Sequence, residues 1–132
     1  MTRFAGYAAV FDRVDGGGDV IRRGAFAASL GRKGAVPLLW QHRSGAVIGR
    51  VERVEEDARG LRVIGALDGS VDGRRAASLV SGGKLDGLSF GYRVRRAESA
   101  NGVRELRELE LVEVSLVARP MQQLARVHAV EG

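Results

Sequence analysis

Three polar residues stand out because each ends or interrupts an apolar stretch: His42, Ser89 and Glu113. An imidazole, whose ordinary pKa is about 6.5, suits proton transfer at neutral pH. A serine hydroxyl becomes a useful nucleophile only beside a base, and a carboxylate can orient the imidazole and stabilise its protonated form. Because such triads are defined by geometry and not by chain order, these residues indicate a serine hydrolase.

The stretch "VPLLWQH" is typical of a strand that ends in a polar residue. Period-two alternation places Leu38, Trp40 and His42 on one face, so His42 is expected at the rim of the strand. There it could be a packed, hydrogen-bonded core residue. It could equally serve as a general base.

The stretch "LSFGYRV" alternates in the same way. Ser89 and Gly91 share one face, and the opposite face, which is expected to pack into the core, carries Leu88, Phe90, Tyr92 and Val94. A serine beside a glycine leaves open space above a sheet. Ser89 is therefore either a structural or solvent-exposed serine, or a nucleophile beside a substrate site.

The stretch "ELELVEVSLV" begins as a half-solvated strand, in which Glu108 and Glu110 alternate with leucines. Strict alternation then places Glu113 on the face of Leu109 and Leu111, where a carboxylate is costly unless it is paired. Two interpretations follow. Glu113 is either part of a buried ion pair with an arginine, or the carboxylate that orients His42.

The elements that must position these residues are mostly strands. Turn-forming clusters such as "DGGGD", "RSG", "SGG" and "SANG" separate the apolar segments. The strands are predicted at 4–11, 35–42, 46–57, 60–68, 88–99 and 103–118, with one more short strand in the tail at 123–130. Short helices are predicted at 24–30, with Gly31 or Gly34 as the stop, and at 73–80. Six or seven strands with two short helices predict a mostly β (α+β) fold, a closed or nearly closed antiparallel barrel that hides its strand edges.

Composition narrows the class of protein. At 132 residues, 45% of them hydrophobic, the chain is expected to form a single domain over 1–132. It contains no cysteine and two histidines, so disulfides and a structural zinc site are not expected. The net charge is +5, but no aromatic residues are interleaved with the basic ones, so nucleic-acid binding is not expected. With no signal peptide and no run of about 20 apolar residues, we expect a soluble, intracellular protein.

At these same residues the chain resembles the prohead serine proteases of tailed bacteriophages, which are related in fold to herpesvirus assemblin. The resemblance covers nearly the whole chain and rests on four stretches in order: "GYAAVFDRVDGGGDVIRRGAF", "VPLLWQHRSGAVIGRV", "GGKLDGLSFGYRV" and "LRELELVEVSLVARPMQQLARV". It implies an assemblin-like fold with His42 as base, Ser89 as nucleophile and Glu113 as third member. The assemblin relatives use a second histidine in the third place, but His128 does not match that motif and receives no role. The family often has "PANP" where this chain has "PMQQ" at 120–123.

The resemblance further implies a serine endopeptidase without metal or cofactor. Its expected substrate is the scaffold protein or the scaffolding segment of the major capsid protein, cleaved through an acyl-enzyme. The expected location is inside the immature capsid, in the cytoplasm of a bacterial host, for a phage or a gene transfer agent. Self-cleavage and homo-oligomerisation are further expectations. The alternatives are a catalytically inactive β-barrel that binds capsid or scaffold, and a basic nucleic-acid-binding barrel.

Overall fold

The computed structural model describes residues 1–32 and 36–132, and it is mostly β with two short helices, as predicted. The predicted helix stop at Gly34 and the start of the strand at Ala35 lie outside the described residues. The elements in chain order are β1 (Arg3–Val10), β2 (Asp19–Ile21), α1 (Ala27–Gly31), β3 (Pro37–Trp40), β4 (Arg43–Glu56), β5 (Gly60–Leu67), α2 (Val71–Ser81), β6 (Gly87–Ala100), β7 (Val103–Val117) and β8 (Val127–Glu131). The strand β2, at the end of the predicted "DGGGD" turn, was not predicted.

All eight strands belong to one sheet, in the order β2-β7-β3-β4-β5-β1-β8, with β6 paired to β7. Most pairs are antiparallel, but β7 runs parallel to both β2 and β3. The prediction of a closed antiparallel barrel is therefore not confirmed. Within the described residues the strand ladder stays open, because β8 pairs with β1 only over Arg3 to Gly6 and only an isolated bridge, from Arg126 just before β8 to Gly87, reaches β6.

The core is built from the apolar face of the strands together with residues of both helical regions. Phe26 near α1 and Ala76 of α2 belong to the same buried cluster as the strand residues. The largest fully buried side chains of the sheet are Phe4, Ile21, Leu38, Ile48, Leu61, Leu67, Leu88, Leu106, Leu109 and Leu116. Burial of one such leucine contributes about 1.5–3 kcal/mol, so this cluster holds the strands that carry the polar residues.

The strand β6 leaves the core partway along its length. Leu88 is fully buried, as predicted, and Phe90 packs partly against the core. Tyr92 and Val94, however, are 36% and 39% exposed, so the prediction that the whole apolar face is buried is wrong for them. The reason is that β6 and β7 continue together as a two-stranded ribbon, whose outer β6 residues from 93 onwards are exposed.

Candidate active site

His42 lies in a tight turn and not at the end of a strand. Trp40 pairs with Arg43, which leaves Gln41 and His42 as the two central residues of the β3–β4 hairpin. Their φ angles are 51° and 62°, and a two-residue hairpin of the I′ type requires positive φ at both positions. The prediction that His42 continues the face of Leu38 and Trp40 is therefore wrong, because the chain reverses direction at Gln41 and His42.

Contacts with β7 and with the residue that follows it hold this turn in place. The backbone N–H of His42 donates to the hydroxyl of Ser115 at 3.0 Å, and that of Gln41 donates to the carbonyl of Leu116 at 3.0 Å. The side-chain oxygen of Gln41 accepts a hydrogen bond of 3.0 Å from the backbone of Ala118. Positive φ at a residue other than glycine costs about 1–2 kcal/mol. These three hydrogen bonds offset that cost and fix the position of the imidazole.

A β-bulge at Val112 decides the orientation of Glu113. Gly91 pairs with Glu113 and Tyr92 pairs with Leu111, so Val112 has no partner across the ladder. The extra residue breaks strict alternation, and Glu113 faces the side opposite to Leu111. The expectation that Glu113 shares the leucine face is therefore wrong. Glu113 is nevertheless buried, with 7% exposure.

The carboxylate of Glu113 contacts the imidazole directly. Its Oε1 lies 2.5 Å from Nδ1 of His42, and its Oε2 accepts a hydrogen bond of 2.6 Å from the hydroxyl of Ser115. No arginine among the described residues forms an ion pair with it. Of the two interpretations of Glu113, the contact with His42 is thus the one found, and not an ion pair with an arginine. With Nδ1–H donated to the carboxylate, the lone pair of His42 Nε2 is free to accept a proton.

Gly91 provides the space for this carboxylate. A Cβ atom built on Gly91 would lie 2.5 Å from Oε1 of Glu113, closer than a Cβ atom approaches a non-bonded neighbour. The open space predicted above Ser89 and Gly91 is therefore only partly empty. Over Gly91 it is filled by the Glu113 side chain, and over Ser89 it is a cavity.

Ser89 lies in β6 opposite Ser115, on the same face of the ribbon as the pair Gly91 and Glu113. It is buried, with 8% exposure, and it lines a cavity of about 120 Å³ together with His42. Among residues 1–32 and 36–132, no hydrogen bond joins Ser89 to His42, so the hydrogen-bond contact of about 2.6–3.2 Å expected of a nucleophile and its base is absent here, and the somewhat looser separation expected without a ligand stays a prediction. Catalytic hydrogen bonds of free enzymes are often long and tighten when the substrate binds.

Ser115 is a site residue that the sequence interpretation missed. It is fully buried, and its one hydroxyl joins the backbone of His42 to the carboxylate of Glu113. The available signal was its position two residues after Glu113, which places both on one face of a strand. The other histidine, His128, lies on β8 with its ring 5.6 Å from that of Tyr7, and it does not line the cavity.

Within residues 1–32 and 36–132, no group of three or more histidine, aspartate or glutamate side chains is arranged to hold a metal ion. None of the helices in the same part of the chain has the length and apolar character needed to cross a bilayer.

The chain belongs to the caudovirus prohead serine protease family, whose model matches residues 1–132. It is 28% identical over 142 aligned residues to the prohead protease of Enterobacteria phage HK97. That alignment covers 98% of this chain but 61% of the HK97 protein, so this chain spans about three fifths of that relative's length.

Two solved structures of proteases show the same fold. The bacteriophage T4 capsid assembly protease superposes with a TM-score of 0.68 at 13% identity, covering 87% of this chain and 80% of that one. The protease of Kaposi's sarcoma herpesvirus, solved with a hexapeptide phosphonate inhibitor, gives a TM-score of 0.68 at 12% identity and covers 99% and 65% of the two chains. The assemblin-like architecture expected from the sequence is thereby confirmed.

Proposed function

We propose that this chain is a serine endopeptidase in which Ser89 is the nucleophile, His42 the general base and Glu113 the residue that orients His42. The observation that carries the proposal is the 2.5 Å contact of His42 Nδ1 with a buried carboxylate, on a histidine that shares a cavity with Ser89. A carboxylate at Nδ1 supports the tautomer that carries the proton on this nitrogen, in which Nε2 would be the proton acceptor.

The reaction would proceed through an acyl-enzyme. His42 Nε2 takes the proton of the Ser89 hydroxyl while Oγ bonds to the scissile carbonyl carbon. The resulting imidazolium is stabilised by Glu113 and returns the proton to the leaving amine as the C–N bond breaks. Water then attacks the ester carbonyl while His42 takes one of its protons. His42 returns this proton to the Ser89 oxygen as the acyl group leaves as a carboxylic acid. Backbone N–H donors facing the tetrahedral oxyanion contribute about 3–4 kcal/mol each.

The proposed substrate is the scaffold protein or the scaffolding segment of the major capsid protein. Support comes from the family to which the chain belongs and from the similarity to a prohead protease and a capsid assembly protease. Cleavage would take place inside the immature capsid, in the cytoplasm of a bacterial host. Self-cleavage and self-association belong to the same proposal.

Labelling with a fluorophosphonate tests the assignment of the nucleophile. Mass spectrometry should locate one adduct on Ser89, and the Ser89→Ala variant should lose both the adduct and peptide cleavage while keeping its unfolding temperature. Ser99→Ala, at an exposed position on β6, is the matched control and should be labelled like the parent. A parent protein that is neither labelled nor able to cleave scaffold would instead be a binding module.

A further inference from the structure

A groove lies beside the cavity that contains Ser89 and His42. It has a volume of about 550 Å³ and is formed by the residues after β1 and the segment after β7. Asp15, Met121 and Gln122 line both the groove and the cavity, so the two spaces adjoin. A peptide held at Ser89 would therefore place neighbouring residues in this groove.

The wall of the groove is held by Gln122, which lies in the "PMQQ" segment. The Gln122 side chain is buried, with 7% exposure, and its amide pairs with both backbone groups of Val10. It accepts from the Val10 N–H at 2.8 Å and donates to the Val10 carbonyl at 2.8 Å. This double hydrogen bond ties the segment to the end of β1, beyond the residues of β1 that pair with β8. The groove is thus present before any ligand binds.

The charged side chains along the groove differ in whether they already have a partner. Arg13 and Arg119 line it, both are exposed, and neither lies within 4.0 Å of a carboxylate in the described part of the chain. Arg126, by contrast, already binds Asp86 at 2.9 Å. The side chain of Asp15 accepts hydrogen bonds from the backbone of its own turn. The carboxylate of Asp15 stays a negative charge where the groove meets the cavity, so the two guanidinium groups without a carboxylate partner are the positive charges available to a ligand in the rest of the groove.

We propose that this groove is a specificity subsite that binds an acidic side chain of the substrate peptide a few residues from the scissile bond. A guanidinium group binds a carboxylate with up to two parallel hydrogen bonds, while apolar residues of the groove, such as Val14 and Leu124, pack against the rest of the peptide. This inference rests on the proposed peptidase function and adds a substrate class to it.

Cleavage of a peptide library derived from a bacterial proteome tests the inference. Mass spectrometry of the products should show aspartate or glutamate enriched about two- to fivefold at a fixed position near the cleaved bond, the ratio expected for a partly exposed charge pair. The enrichment should disappear in the variant carrying Arg13→Gln and Arg119→Gln. It should also shrink as salt is raised.

The matched control carries Arg74→Gln and Arg75→Gln. These two exposed residues lie on α2, outside the groove, and the substitutions remove the same amount of charge as those at Arg13 and Arg119. It should keep the parental enrichment. Cleavage without acidic enrichment, or enrichment that survives Arg13→Gln and Arg119→Gln, overturns the inference and leaves the peptidase intact.

A binding measurement separates failure of the inference from failure of the peptidase. The Ser89→Ala variant is titrated with two fluorescent octapeptides, one of alternating alanine and glutamate and one of alternating alanine and glutamine. The acidic peptide should bind about two- to fivefold more tightly, and this preference should vanish when Arg13→Gln and Arg119→Gln are added. Equal binding overturns the inference even if the parent cleaves nothing. The inference is also overturned if adding Arg13→Gln and Arg119→Gln abolishes binding to duplex DNA but leaves the preference for the acidic peptide unchanged. The two arginines would then bind a nucleic acid.

Discussion

The hydroxyl of Ser115 donates to Oε2 of Glu113 at 2.6 Å and so holds the carboxylate that contacts His42. The same hydroxyl accepts from the backbone N–H of His42 at 3.0 Å. One fully buried serine thereby links the hairpin turn that carries the histidine to the strand that carries the carboxylate. It is a positioning residue, since it has no place in the cavity itself.

Ser115→Ala should lower both stability and turnover. The substitution leaves Oε2 of the buried Glu113 without its donor, and a hydrogen bond to a charged group contributes about 1.5–3 kcal/mol. Well below the unfolding temperature, kcat should fall while KM stays near the parental value, because the imidazole is no longer held in one orientation. Thermal unfolding and steady-state kinetics measure the two effects, with Ser99→Ala as an exposed control. An unchanged kcat at a lowered unfolding temperature would limit Ser115 to a structural role.

Glu113→Gln should keep the fold and reduce turnover by up to about 10⁴-fold, the effect of replacing the carboxylate that orients a triad histidine by its amide. The amide preserves the shape of the side chain but cannot stabilise the imidazolium. Glu108→Gln and Glu110→Gln, on the same strand outside the cavity, should change turnover little. The measurement is kcat of the three purified variants on a capsid-scaffold substrate. Parental turnover in Glu113→Gln would leave His42 and Ser89 as a dyad.

Gly91→Ala should impair catalysis more than folding. The added Cβ would lie 2.5 Å from Oε1 of Glu113, so the carboxylate must move away from His42. A displacement of about 1 Å at a reacting group can cost about 10²-fold in rate. Gly45→Ala in β4 is the matched control, because its added Cβ meets no atom within 4 Å. Equal kcat in both variants would show that the carboxylate position is not critical.

Asp19→Asn should reveal an acid-dependent contribution to stability. Hydrogen bonds from Arg104, at 2.9 and 2.8 Å, lower the pKa of Asp19 and tie β2 to β7. Because the folded-state pKa lies below the unfolded value of about 3.9, the contribution is fully present above that value and is lost as the pH falls through the folded-state pKa.

A double-mutant cycle of Asp19→Asn and Arg104→Gln, followed by urea unfolding at several pH values, measures this coupling. The coupling should be favourable at neutral pH and should vanish in strong acid. A coupling that persists in strong acid would contradict the assignment of the effect to the Asp19 carboxylate.

Local sequence patterns were sufficient to predict the mostly β class of the fold and the residue types of the candidate site. Alternating apolar residues predict strands wherever one face is buried, and most strands lie where the pattern places them. Strong turn clusters separate the elements for the same local reason. A carboxylate within an apolar stretch needs a donor, and the sequence left an arginine and His42 as the two candidates for Glu113. His42 is that donor.

The orientation of the site residues depends on contacts between distant segments, which no local pattern contains. The bulge at Val112 exists because β6 and β7 pair in one particular register, and it turns Glu113 away from the leucine face. The turn at Gln41 and His42 tolerates positive φ because β7 supplies its hydrogen bonds. The parallel pairing of β7 with β2 and β3 and the open ladder likewise arise from packing across the whole chain, since strand partners are chosen by tertiary contacts and not by the strand's own sequence.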